Sequence, residues 1–498
     1  MVFAALLSHS TPKKLLIVGA GPAGLTAACA AQAAGFAVTV LEKDPVYVGG
    51  ISRTVVYKGW RFDIGGHRFF SKSAEVMRWW RERLPDDFVQ VKRMSRIFYR
   101  RKFFDYPLKP WNALSNLGLG ASTACVASYL WARVFPRQPE KSFADWVINR
   151  FGRRLFEIFF RSYTEKVWGI STTELSADWA AQRIKGLSLS KAIFNAFRGR
   201  KEGAVIKTLI DTFDYPRLGP GQMWERAAAD VVAGGGRLEL GVTVRTIFHR
   251  DGRIVAVGTV DAAGREERRE ADEFLLSMPL RDAVLAFDPP LAPAAIAAAR
   301  GLNYRDFLTV ALVVAGKNPF PDNWIYIHDP GVKLGRIQNY RNWSEALLAE
   351  PGATCLGLEY FCFEGDGLWS MTDEELRALG TRELAQLGLV KPEHVKDGAV
   401  VRMEKAYPVY DPGYAERVAT IRDALAVFKN LQVVGRNGMH KYNNQDHSMM
   451  TALLAVKNLQ GGQFNLWNVN ADAEYHEETT GGEDTSGRQV PQRMANRT

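Results

Sequence analysis

Cysteine is scarce. The 498 residues hold four, Cys29, Cys125, Cys355 and Cys362, with no pairing of the kind a thiolate metal site needs, so no metal is expected. This usage fits a reducing cytoplasm. Long runs of one charge are also missing. Lys and Arg (64) outnumber Asp and Glu (54), for a net charge of +10, yet the excess is spread thinly. Its richest stretches, residues 92–102 and 198–207, read as solvated basic faces, so no nucleic-acid partner is expected. No internal repeat is present. The apolar run 2–7 is too short for a signal-peptide core and has no basic residues before it. Residues 111–132 lack charge altogether, but they carry Asn, Ser and Gly, which favours a buried or partly buried helix over a membrane span. Contact at a membrane surface is the alternative this segment raises for an otherwise cytoplasmic chain.

The composition that is present, 47% hydrophobic and 24% charged, supplies a large core and two or three domains. An apolar strand at 13–18 runs into Gly19-Ala20-Gly21-Pro22-Ala23-Gly24, then an Ala-rich helix to about 34, then a strand at 37–41 that finishes at Glu42. The stretch 74–198 is largely helical in pattern. Strands are expected at 237–240, 244–248, 254–260 and 274–277, and again at 308–314, 324–328, 336–340 and 355–363. Helices are expected at 221–233, 373–387, 413–428 and 445–459, with a short strand at 431–434. Beyond about 473 the chain is polar, as a disordered tail would be.

The order strand, glycine turn, helix, strand, acid is the fingerprint of a dinucleotide-binding βαβ unit. Gly19 serves the tight turn, Gly21 lets backbone approach a pyrophosphate, and Gly24 allows helix and sheet to pack closely. Pro22 and Ala23 open the helix whose free N–H groups face the phosphates. Glu42 is placed to accept from ribose hydroxyls, with Lys43 beside it. No second complete fingerprint occurs, so a nicotinamide donor such as NAD(P)H would visit only transiently.

The next glycine element, Val48-Gly49-Gly50-Ile51-Ser52-Arg53-Thr54, resembles the GG-x-[ST]-R loop of the glutathione-reductase-like flavoproteins, which include amine oxidases and protoporphyrinogen oxidases. That resemblance points to FAD, held further by Gly49, Gly50, Ser52 and Arg53. Phe62-Asp63-Ile64-Gly65-Gly66-His67-Arg68-Phe69-Phe70 resembles an element of the UDP-galactopyranose mutases, notably the eukaryotic type. So do Tyr163-Thr164-Glu165-Lys166-Val167-Trp168 with Thr172-Thr173, and the C-terminal Gly435-Arg436, Lys441-Tyr442 and Asn444-Gln445-Asp446-His447-Ser448. These motifs span nearly the whole chain.

The resemblance implies an α/β fold. A Rossmann-like FAD-binding domain of glutathione-reductase type would be formed by 11–72, 205–285 and 400–472, a helical insertion by 73–204, an antiparallel-sheet substrate domain by 286–399, and the tail by 473–498. It implies cofactor contacts from Gly65, Gly66, His67, Val244, Gly435, Arg436, Asn444, Gln445, Asp446 and Ser448. It implies a sugar mutase in which the N5 atom of reduced flavin attacks the anomeric carbon and the ring recloses through a different hydroxyl. Arg183 and Arg336 match the family's diphosphate arginines, and Tyr326, Tyr407 and Tyr442 its diphosphate tyrosines; guanidinium forks suit phosphate oxygens. His67 would lie under the flavin ring, and Trp168 and Tyr106 would wall the cleft.

Two positions depart from the pattern. Lys109 stands where the family offers a Gln to a base edge, and an ammonium can only donate. Trp343 replaces a Tyr facing the diphosphate. Both fall at the leaving-group end, which suggests a sugar activated by another nucleotide or by a polyprenyl phosphate. They also keep open an FAD-dependent oxidoreductase acting on a glycan or lipid precursor, and a flavin-bound subunit without turnover.

Overall fold

Four of the five residues of Lys14–Val18 are buried, as a strand covered on both faces requires. In the computed structural model, which describes residues 11–106, 108–175, 177 and 211–470, it is the middle strand of a five-stranded sheet. The order across that sheet is Leu431–Val433, Glu273–Leu276, Lys14–Val18, Ala37–Glu42 and Arg237–Leu240, all parallel. One face carries the helix Pro22–Ala33, whose small side chains are buried almost all round. The helices Gly221–Ala233 and Gln445–Leu459 close over it. The other face is covered by a four-stranded sheet (Glu266–Glu270, Arg253–Val260, Thr243–Arg250, Phe287–Asp288) and the helices Leu280–Leu285, Pro293–Arg300 and Tyr414–Leu425.

A seven-stranded sheet forms the second large layer. Its order is Val395–Pro408, Tyr304–Ala315, Ala353–Cys362, Arg336–Asn339, Trp324–Ile327, Ser95–Tyr99 and Lys102–Asp105. Neighbours are antiparallel except Trp324–Ile327 and Ser95–Tyr99, which run parallel.

The stretch expected to be largely helical is only partly so. The helices Pro110–Leu117, Leu119–Val134 and Phe143–Phe151 are there, the last opened by a Ser142/Asp145 capping box. Phe88–Lys92, Ser95–Tyr99 and Lys102–Asp105 are strands instead. Aromatic and β-branched residues favour strand, and the interspersed cations masked their period. Arg96, for example, lies among buried Ser95, Ile97 and Phe98 and forms an ion pair (2.6 Å) with the fully buried Asp322. The strands Thr212–Pro216 and Val395–Pro408 and the hairpin of Thr54–Tyr57 with Trp60–Asp63 were not expected either. The end of that stretch, 178–198, and the polar tail lie outside the described residues. No described helix is long and apolar enough to cross a membrane.

Helix and first strand touch through their backbones at the 19–24 turn. Gly19 has φ +101°, and a Cβ on Gly24 would lie 1.8 Å from the Gly19 carbonyl oxygen. Gly21 has open space around the same position. Gly24→Ala should therefore destabilise the fold by about 1–3 kcal/mol in denaturant unfolding. Gly21→Ala should stay within about 0.5 kcal/mol of the parent and act on ligand affinity alone.

Candidate functional site

The carboxyl ends of the parallel strands and the seven-stranded sheet border a cavity of about 1120 Å³. Ligands of open parallel sheets bind at such strand ends. Gly19, Gly21, Pro22 and Ala23 line it at the start of the first helix. Gly21, the N-cap, brings no side chain to cap the helix, so the positive end of the dipole is left to an anion. Glu42 is fixed by backbone N–H donors, Ala20 to Oε2 at 2.7 Å and Asp44 to Oε1 at 2.9 Å. Each of its oxygens keeps a further lone pair for a hydroxyl. Gly50, Ser52 and Arg53 also face the cavity. Arg53 is ion-paired with Asp44, and its buried Nε has no protein partner. Lys43 and Val244 line the wall, Lys43 while paired with Glu404 at 3.2 Å. Gly24 and Gly49 do not line it; they pack against Gly19 and Trp224.

A second helix start faces the same space. Asn444 caps Gln445–Leu459 reciprocally with His447, and Asn444, Gln445, Asp446 and Ser448 line the cavity with Gly435 and Arg436. Gln445 donates to the Arg68 carbonyl (3.0 Å) and leaves Oε1 unpartnered; Asp446 accepts from Ser71 (3.0 Å). Arg436 donates to the carbonyls of Ala406 and Asn443 at 3.0 and 3.1 Å, yet its buried Nη2 and the Oδ1 of Asn437 find no protein partner. Buried polar atoms are rarely left so. Donors and acceptors orphaned around one cavity suit a polar ring system with both kinds of edge. His67 lies beside Gly65 and Gly66, with a buried, unpartnered Nδ1. Burial first, then the charges of Arg436 and Arg336, lower its pKa to about 3, so the imidazole is neutral at neutral pH.

At the far wall one rung of the seven-stranded sheet builds the substrate end. Tyr326 stands opposite Arg336, Arg336 opposite Glu359, and Glu359 opposite Thr309. Arg336 is ion-paired through Nε with Glu359, which has no exposed side-chain surface and also accepts from Gln338 Nε2 at 2.8 Å. Burial works against the Arg336 charge, but Glu359 and the surrounding phenols hold it protonated well above the usual arginine range. Tyr407 and Tyr442 stack with ring centroids 5.7 Å apart, and Arg436 lies 4.6 and 4.3 Å from those centroids. Burial raises the Tyr407 and Tyr163 hydroxyls, so both remain donors.

The expected site residues are therefore distributed unevenly. Arg336, Tyr407 and Tyr442 reach the cavity. Tyr326 sits behind them, its ring 5.0 Å from Tyr106 and 5.4 Å from Tyr163. Trp168 is buried behind Tyr442, 6.3 Å away, rather than walling the cleft. Lys109 is exposed and ion-paired at 3.6 Å with Asp105, the last residue of the strand four positions earlier. Trp343 corrects an expectation. Its indole is buried in the core, stacked on Trp324, and donates to the Asn323 carbonyl at 3.0 Å, so it cannot face a diphosphate. Arg183 lies outside the described residues. The sequence reading missed Glu359, Gln338 and the role of Tyr163. Glu359 did leave a signal, as the one charged residue in the fully buried strand Ala353–Cys362.

The family described as flavin containing amine oxidoreductase matches residues 22–435. An L-amino-acid oxidase of Crotalus adamanteus is 45% identical over 71 residues, 14% of this chain, and the match spans only 14% of that relative's length. The structure of a reduced UDP-galactopyranose mutase superposes with a TM-score of 0.78 at 20% identity, over 91% of this chain and 94% of that one. A protein of Exiguobacterium sp. 255-15, provisionally assigned as a protoporphyrinogen oxidase, gives 0.67 at 18% identity, over 91% and 99%. At such identities the structures speak to fold, and they bear out the α/β class with a Rossmann-like cofactor unit and a sheet-built substrate region.

Asp63 leads into the 64–68 loop and is fully buried. Its carboxylate accepts from Tyr215 and from Thr54 (3.0 Å), but burial outweighs both and raises its pKa from 3.8 to about 7. Between those values the folded chain holds a proton that the unfolded chain has lost. The Asp63 contribution to stability is thus greatest at low pH and falls as pH rises towards 7, by up to about 1.4 kcal/mol per pH unit. Denaturant unfolding of Asp63→Asn at a series of pH values should lack this component; an unchanged slope would count against the assignment.

Proposed function

The chain belongs to the family of flavin containing amine oxidoreductases, and on that premise we propose that it binds FAD and, with FAD reduced, interconverts the pyranose and furanose forms of an activated sugar. The residues present fit FAD. The bare N-terminus of Pro22–Ala33 suits the pyrophosphate, Glu42 the ribose, and the orphaned atoms of Arg436, Asn437 and Gln445 the polar edge of the ring. We assign 11–72, 205–285 and 400–472 to the cofactor domain, 73–204 to the insertion and 286–399 to the substrate domain, except that Phe287–Asp288 and Pro293–Arg300 pack on the cofactor side and the substrate sheet takes in all of Val395–Pro408 with Ser95–Tyr99 and Lys102–Asp105. NAD(P)H is the proposed transient reductant.

The observation that carries this reading is the mostly buried Arg336, held charged by Glu359 within a ring of phenols. A leaving diphosphate needs fixed positive charge and short-range donors, and a preorganised guanidinium supplies both without reorganising. Reduced FAD, when bound, supplies an electron-rich ring nitrogen able to engage an anomeric carbon. The chain does the rest. Arg336 grips the phosphate oxygens, with Arg183 as the second proposed cation. Tyr407 and Tyr442 donate hydroxyl hydrogens, and Tyr407 stays a donor because burial keeps its proton on Oη. Neutral His67 orients without adding charge. The substrate class is an activated sugar, linked to a nucleotide or a polyprenyl phosphate.

A second reading, net oxidation of a glycan or lipid precursor, draws on the spent Trp343 indole and the outward, paired Lys109. Both weaken the nucleotide end. Purified protein given UDP-galactofuranose and dithionite should form the pyranose without consuming reduced flavin. No isomerisation, together with bleaching of oxidised flavin by a sugar or amine, would establish the second reading instead. Arg336→Ala should lower turnover by about 100-fold or more while the yellow cofactor stays bound, and Arg336→Lys, which keeps the charge against Glu359, guards against simple misfolding.

A further inference from the structure

Helices on a globular surface turn their apolar stripe inward, and Leu119–Val134 does the reverse. Its buried positions are small, Ser122, Cys125 and Ala132. Leu119, Val126, Leu130 and Val134 fall on one outward face at helical spacing, with Trp131 beside them. Leu119 is 89% exposed, Trp131 67% and Val134 68%. Phe135, also exposed, follows the helix with its ring 4.5 Å from that of Trp131. Water-soluble surfaces scatter such residues singly; a contiguous stripe marks a docking face.

The charge around the stripe says what it docks on. No Asp or Glu occurs between Asp105 and Glu140. Arg133 and Arg137 stand at the aromatic end of the stripe. Arg153 and Arg154 flank it on the adjoining helix, where the Arg154 amide donates to Ser128 Oγ at 3.2 Å. Arg137, Arg153 and Arg154 have carboxylate neighbours, but these are solvent-exposed pairs that hold their guanidiniums weakly. We propose that this face seats on an anionic lipid bilayer. The aliphatic stripe enters the acyl boundary, Trp131 and Phe135 lie at headgroup depth, and the arginines meet lipid phosphates. The same segment begins at Tyr106, whose ring contacts Tyr326 at the substrate end of the cavity.

The test uses the whole chain with its cofactor and no substrate, so its outcome is independent of the reaction assigned above. The protein should co-sediment with phosphatidylcholine vesicles containing phosphatidylglycerol about tenfold better than with phosphatidylcholine alone, and added salt should weaken binding. The double variant Leu130→Ser, Trp131→Ser, made at exposed positions and checked by circular dichroism, should lose about tenfold of that binding. Indifference to phosphatidylglycerol, or a variant that binds like the parent, overturns the proposal. So does a parent that is dimeric and ignores vesicles while the variant is monomeric, since the stripe would then be covered by a second copy.

Discussion

A guanidinium with little water around it and a carboxylate with none depend on each other completely. Desolvating an ion costs several kcal/mol, and the pairing of Arg336 with Glu359 offsets that cost in the second layer. The antiparallel register sets them opposite one another, with Tyr326 and Thr309 on the same rung. A slip of one residue would turn the whole rung to the other face of the sheet. The substrate end is therefore a consequence of strand pairing.

The cofactor end rests on a different constraint, contact between backbones. Gly24 meets the Gly19 carbonyl, which sets the first helix start against the ends of the parallel strands. This half was legible in the sequence because close approach demands glycine and the glycines stand at fixed offsets. Glu42 was legible for the same reason, being at the end of a predictable strand. The strand and helix limits around it also came out within a few residues of the expectation. The C-terminal Gln445–Leu459 helix matched residue for residue, helped by Asn444 at its cap.

What the sequence concealed depends on tertiary pairing. Ser95–Tyr99 and Lys102–Asp105 are held by a sheet whose other strands lie about two hundred residues later, and their interspersed cations hide the local strand signal of the aromatic residues. Trp343 was read by position as a ligand contact. Its real environment is an aromatic stack with Trp324 and a nearby carbonyl, which only the folded chain brings together. Glu359 was the reverse case: a charge in a buried apolar strand is costly unless a partner exists, and that cost alone called for a cation beside it, which the fold supplies as Arg336.

Two of the guanidiniums that line the cavity, Arg336 and Arg436, also tie anion binding to the state of His67. Burial is the larger influence keeping that imidazole neutral, and the two positive charges add to it. An anion held by these arginines would cancel part of their field at the ring, and His67 would then take up a proton more readily than in the empty cavity. By linkage, a proton on His67 would in turn favour the anion. Burial remains the larger influence on the ring. An uncharged imidazole beside two fixed cations is thus suited to shape the site without competing with the phosphate for them.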